Sequence, residues 1–166
     1  MKDFRRISVY FDKDFNLIGV PSTIIKKLNV FIDITSIICL NSPYCDEELE
    51  SFLKKVIELC FSQSVKECPK KSALQIFRGV KSHAASIKGL GLVSIGWNKN
   101  EGYTITPTWR NTKLKNAFLH LDNKSLQVSN SYCDNELAKM FRRVLELSTI
   151  EPMSEAPESF PDFQLK

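Results

Sequence analysis

No stretch of this chain stays apolar long enough to cross a bilayer; the longest run, residues 37–40, is the size of a strand. The N-terminus, MKDFRRISVYF, puts charge first but no long apolar segment after it, so it does not read as a signal peptide. A soluble, cytoplasmic protein with no membrane partner is expected. Catalytic motifs are missing as well: there is no paired-carboxylate motif, no GxSxG and no HExxH. The only histidines are His83 and His120, and no two of the five cysteines have CxxC spacing, so no zinc pattern can be assembled. Cys39, Cys45, Cys60, Cys68 and Cys133 are odd in number, and buried free thiols in a reducing compartment are expected. Neither a metal nor a cofactor is expected.

Three partial matches to catalytic patterns weaken on inspection. GLGLVSIG has its glycines misplaced for a dinucleotide fingerprint, and its valine and isoleucine indicate a strand. SFLK, residues 51–54, has Ser-x-x-Lys spacing but lies inside a helical pattern. Cys133 with a histidine would make a nucleophile pair, but Cys45 occupies a matched context and speaks for a structural thiol.

What is present fits one domain. The chain has 166 residues, enough to bury a core without staples. Its formal net charge is +4. From Glu151 onward it carries Glu151, Glu155, Glu158 and Asp162 against Lys166 alone, so the body is more basic than the whole. A mildly basic body suits nucleic acid, an anionic surface, an acidic partner or simple solubility. The expected division is a domain at residues 1–150 and an acidic, proline-containing tail at 151–166 that is extended or disordered. Phe160, Phe163 and Leu165 give that tail a means of docking on the body.

One pattern is written twice. YCDEELESFLKKVIELC at 44–60 returns as YCDNELAKMFRRVLELS at 132–148. In each, an aspartate (Asp46, Asp134) is placed to cap a helix, and acids follow at the positive end of the dipole. Leu49, Phe52, Leu53, Val56 and Cys60 form one apolar stripe; Leu137, Met140, Phe141, Val144 and Leu145 form the other. Dipole chemistry alone favours acids first and bases later, but it does not require the Tyr-Cys-Asp entry. Internal duplication, with two similarly packed helices related by a pseudo-twofold, is the expectation.

Strands are expected at 6–12, 17–20, 31–40 (with helix as the alternative for 31–40), 90–97 and 103–107, with NKNEG at 98–102 making a hairpin turn. Residues 117–121 and 126–129 read as a further hairpin across DNK, residues 21–27 as short helix or irregular, and Ser72 as the cap of a short helix. The fold class is α+β: a single domain, with a largely antiparallel sheet and two similar amphipathic helices packed on one face.

Candidate contact residues follow from residue type. Trp97, Tyr103, Trp109 and Arg110 gather around one hairpin and its exit, and Trp, Tyr and Arg dominate binding hot spots. WRNTKLKNAF, residues 109–118, interleaves bases with aromatics; a solvated loop with one aromatic anchor is the expectation there, and contact with nucleic acid the alternative.

Lys81-Ser82, then an apolar strand ending in Trp97, a glycine turn, TITPTWRN at 104–111, Ala117-Phe118 and a helix starting near Asp134 form a recognisable order. It resembles the CdiI-type immunity proteins of bacterial contact-dependent growth inhibition systems, in particular a family of about this size with a Thr-Pro-Thr segment. The resemblance implies a non-enzymatic protein that binds the C-terminal toxin domain of a cognate CdiA effector, often a nuclease, in a stoichiometric complex. An inhibitor of a basic nuclease is expected to offer acidic surface, and this chain is net basic. Local acids at Asp12, Asp14, Glu47 and Glu50 are therefore added to the candidate interface. A nucleic-acid-binding or regulatory protein using the basic body is the alternative.

Overall fold

Ile7, Val9 and Phe11 alternate with Ser8 and Tyr10, and all five are buried, so the first strand is covered on both faces. The computed structural model describes residues 3–157. It contains β1 (Phe4–Phe11), β2 (Leu17–Ile25), β3 (Val30–Asp33), β4 (Ile38–Leu40), α1 (Asp46–Glu58), α2 (Ala73–Arg78) and α3 (His83–Ser86). These are followed by β5 (Gly91–Asn98), β6 (Gly102–Asn111), β7 (Ala117–His120), β8 (Leu126–Val128), α4 (Glu136–Leu147) and β9 (Pro152–Met153). The nine strands form one curled sheet in the order β3-β2-β1-β5-β6-β7, with β4 added to β2, and β8 and β9 to β6. Among the described residues only the β6–β9 pairing is parallel. No helix among the described residues is long and apolar enough to cross a membrane.

Ile7, Val9, Phe11, Val93 and Ile95 share one buried cluster with Leu49, Leu53 and Val56 of α1 and Leu137, Phe141 and Val144 of α4. Tyr10, Val20 and Leu92 belong to a second cluster with Ala73 and Leu74 of α2. Ser72 caps α2 by accepting from the Gln75 N–H at 3.2 Å.

The two halves of the chain repeat at the level of register. Ile7 lies opposite Pro21, and Val93 opposite Pro107, both partners displaced by 86 residues (93 − 7 and 107 − 21). Side-chain bonds follow the same rule: Ser22 Oγ donates to the Arg6 carbonyl and Thr108 Oγ1 to the Leu92 carbonyl, each at 2.6 Å. Pro21 O accepts from Ile34 N, and Pro107 O from Leu121 N, each at 2.9 Å. After each long helix the chain returns to the same place, Phe61 N donating to Ser22 O and Thr149 N to Thr108 O. Ser8, whose counterpart by this displacement is Ser94, lies directly opposite Ser94. An approximate twofold axis therefore passes through that pair, relating two ββββα units.

Several sequence expectations are corrected here. Residues 21–25 are strand, not helix or irregular chain, because Pro21 sits where β2 leaves β1 and its missing N–H costs no ladder bond. The segment 31–40 is two short strands, β3 and β4, that pair with different stretches of β2. β7 and β8 do not pair with each other; both add to β6, opposite residues 108–111 and 103–105. Four of the five thiols are exposed, and only Cys60 is buried. The residues from 158 on, including Phe160, Phe163 and Leu165, lie outside the described chain.

Candidate functional site: a groove between two related helices

The repeated helix entries begin one residue away from the expected aspartates. Cys45 is the N-cap of α1 and Asn135 that of α4. The orphan N–H at each entry is taken by a glutamate three residues on: Cys45 N donates to Glu48 Oε2 at 2.8 Å, and Cys133 N to Glu136 Oε2 at 2.9 Å. That leaves the aspartates free for other contacts. Asp46 Oδ1 accepts from Arg142 Nε at 2.7 Å, while Arg142 Nη2 donates to the Tyr44 carbonyl at 2.9 Å. The guanidinium carbon stands 5.1 Å from the centre of the Tyr44 ring.

A displacement of 88 residues (132 − 44) carries Tyr44, Asp46 and Arg142 onto Tyr132, Asp134 and Lys54. Lys54 Nζ lies 5.2 Å from the Tyr132 ring centre, so the cation–ring contact is kept. The ion pair is not. Lys54 Nζ instead donates to Glu50 Oε1 at 3.0 Å, and the position matching Glu50 is Ala138. The result is an open groove of about 660 Å³ lined by Glu47, Glu50, Ser51, Lys54, Lys55, Glu58, Asp134 and Asn135. Glu50 is only 7% exposed, and its second carboxylate oxygen has no hydrogen-bond partner. The neighbouring Tyr132 and then Glu50 raise the Lys54 pKa, so this ammonium stays charged. Glu47 Oε1 accepts from Asn135 Nδ2 at 2.8 Å and ties the two helix entries together.

Two solved structures share the architecture. A protein of unknown function from Neisseria meningitidis, NMB0488, matches with a TM-score of 0.66 at 14% identity, covering 90% of this chain and 98% of that one. A chain of the CdiA-CT/CdiI toxin and immunity complex from Yersinia pseudotuberculosis matches with a TM-score of 0.62 at 12% identity, covering 88% and 98%. The fold is CdiI-like. The sequence matches no family model and no curated protein.

Within this fold the eight candidate contact residues occupy different settings. Glu47 and Glu50 meet in the groove. Tyr103, on β6, is outside the groove lining; its ring lies 5.7 Å from that of Tyr132, and its hydroxyl pKa is pushed up to about 12, mainly by burial. Trp97 lies opposite Tyr103, carries Arg5 over its ring at 5.1 Å, and donates from Nε1 to Asn130 Oδ1 at 2.9 Å. Trp109 and Arg110 are inside the protein, 6% and 5% exposed. Arg110 lies over Phe118 at 5.5 Å and donates to the carbonyls of Asn116 and Ile150. Trp109 therefore has no free ring face for a base. Asp12 accepts from the N–H groups of Asp14 and Asn16, and Asn16 Nδ2 binds its other oxygen, so it builds the β1–β2 turn. Asp14 is exposed in that turn.

A second concavity, about 550 Å³, lies on the other side of the sheet and includes Arg6, Tyr10, Asp33 and His83. Burial pushes the Asp33 pKa up to about 6, against the pull of Arg6. A carboxyl whose folded pKa exceeds its unfolded value, 3.8 here, contributes full stability below 3.8 and loses it as pH rises through 6. The loss should reach up to about 3 kcal/mol. Asp33→Asn should remove that slope: the difference in unfolding free energy between the two proteins, followed by urea titration from pH 4 to 7, should grow in favour of the variant. A difference that stays constant across the window would contradict the assignment.

Proposed function

We propose that this chain is an immunity protein of the CdiI type, binding the C-terminal toxin domain of a cognate CdiA effector in the cytoplasm and neutralising it as a one-to-one complex. It performs no turnover of its own. The observation that carries this reading is the shared fold, along 98% of a chain from a toxin and immunity complex. The α1–α4 groove adds chemical support. In a chain of net charge +4 it concentrates four carboxylates against two ammonium groups, a local acidic surface suited to a basic nuclease-type toxin. Glu47 and Glu50 are accordingly the interface residues we retain from the sequence reading.

Titrating purified protein into the toxin domain encoded beside it should bring toxin activity to zero at one molar equivalent. Residual activity at large excess would overturn the reading. Salt-dependent retention of generic RNA by the chain alone would favour the nucleic-acid alternative instead.

A further inference from the structure

We propose that the groove running along α1 beside the entry to α4 is a receptor for one arginine side chain of a partner protein. The inference rests on reading the chain as a protein-binding protein, and it names the chemistry of one contact.

The molecule carries an occupied version of the same site. Around the pseudo-twofold axis, Arg142 lies over the Tyr44 ring, pairs with Asp46 and donates to the Tyr44 carbonyl. Asp134 in the groove lining supplies the carboxylate and Tyr132, its ring centre 5.2 Å from the groove's Lys54 Nζ, supplies the ring, but a lysine stands where the arginine would be. Lys54 offers a single ammonium, and it turns to Glu50. Asp134 is left without a hydrogen bond or ion pair among the described residues. Glu50, absent from the other half, keeps one oxygen unpaired in a site where it is only 7% exposed. Leaving a buried carboxylate oxygen unpaired is costly, so the groove holds unused acceptor capacity.

A guanidinium matches that capacity better than an ammonium or a metal. Its planar fork can give two parallel bonds to one carboxylate and still reach a second, and its face can stack on an aromatic ring. No group of three histidine, cysteine or acidic side chains among the described residues could hold a metal ion. Lys54, with a side chain 46% exposed, swings aside as the arginine enters, and the incoming fork takes Glu50 while reaching Asp134.

The test uses the full chain and a probe peptide, acetyl-Gly-Arg-Gly-amide, with its citrulline counterpart as the uncharged isostere. Backbone amide shifts of the groove residues should saturate with the arginine peptide, and the citrulline peptide should bind at least about tenfold more weakly. Glu50→Gln should weaken the arginine peptide by about tenfold or more, and Lys54→Ala, which removes the competing cation, should tighten it severalfold. Asp134→Asn, at an exposed position, gives a second weakening variant if Glu50→Gln perturbs the fold. Equal binding of the two peptides, no saturable shift, or no response to these substitutions would overturn the proposal. A chain that neutralises its toxin but fails this test refutes the arginine site alone. A chain that passes it but neutralises no toxin refutes the immunity reading alone.

Discussion

Phe141→Ala is expected to cost about 3–5 kcal/mol of unfolding free energy, read as a lower urea midpoint at unchanged slope. Phe141 is 0% exposed and sits on α4 in the cluster that also takes Ile7, Val9, Phe11 and Leu49. Removing its ring deletes the transfer free energy of the ring and leaves a cavity that the sheet beneath cannot collapse to fill. Its counterpart in the first repeat is Leu53, also 0% exposed. The two side chains serve one core from two helices, so the variant should lose stability cooperatively across both units, with a single transition. A loss below about 1 kcal/mol would mean that α4 is not held by this cluster.

Gly102→Ala is expected to cost about 2–5 kcal/mol, from roughly 1–3 kcal/mol of backbone strain and a similar overpacking term. Gly102 opens β6 with φ +94°, a region that side-chain-bearing residues rarely adopt. A Cβ there would also run into the carbonyl oxygen of Val128, the residue of β8 that lies opposite Tyr103. The clash involves backbone on both sides and has no rotamer to relieve it. Thermal unfolding followed by circular dichroism would show the effect; an unchanged midpoint would mean that the turn and β8 can move apart without loss. Because Tyr103 packs on Tyr132, whose ring meets the groove's Lys54, the same substitution should also broaden the groove's amide signals.

The strength of each sequence signal tracks how local its cause is. The stripes at Leu49–Cys60 and Leu137–Leu145 repeat at helical spacing, and α1 and α4 form there. NKNEG delivered the β5–β6 hairpin because a turn and its flanking strands are set within a dozen residues. Strand partners were not legible in the same way. Alternation at 117–121 and 126–129 marks two strands but cannot say that each prefers β6 over the other, because the choice depends on an edge supplied from elsewhere. The caps failed for a related reason. Asp46 looked available because its competitor, Arg142, is 96 residues away in sequence and 2.7 Å away in space.

By itself the sequence determined the periodic helices, the main hairpins and the repetition of one entry motif, since these follow from side-chain spacing and backbone preference over short distances. The tertiary structure decided that the two halves share a sheet around the Ser8–Ser94 pair and that Glu47 meets Asn135, 88 residues further on. It also decided that swapping arginine for lysine and alanine for glutamate on opposite sides of an axis leaves a carboxylate-lined groove. Charge in a chain is a sum; where it gathers, and whether it is already neutralised, depends on which distant residues the fold brings within a few ångströms.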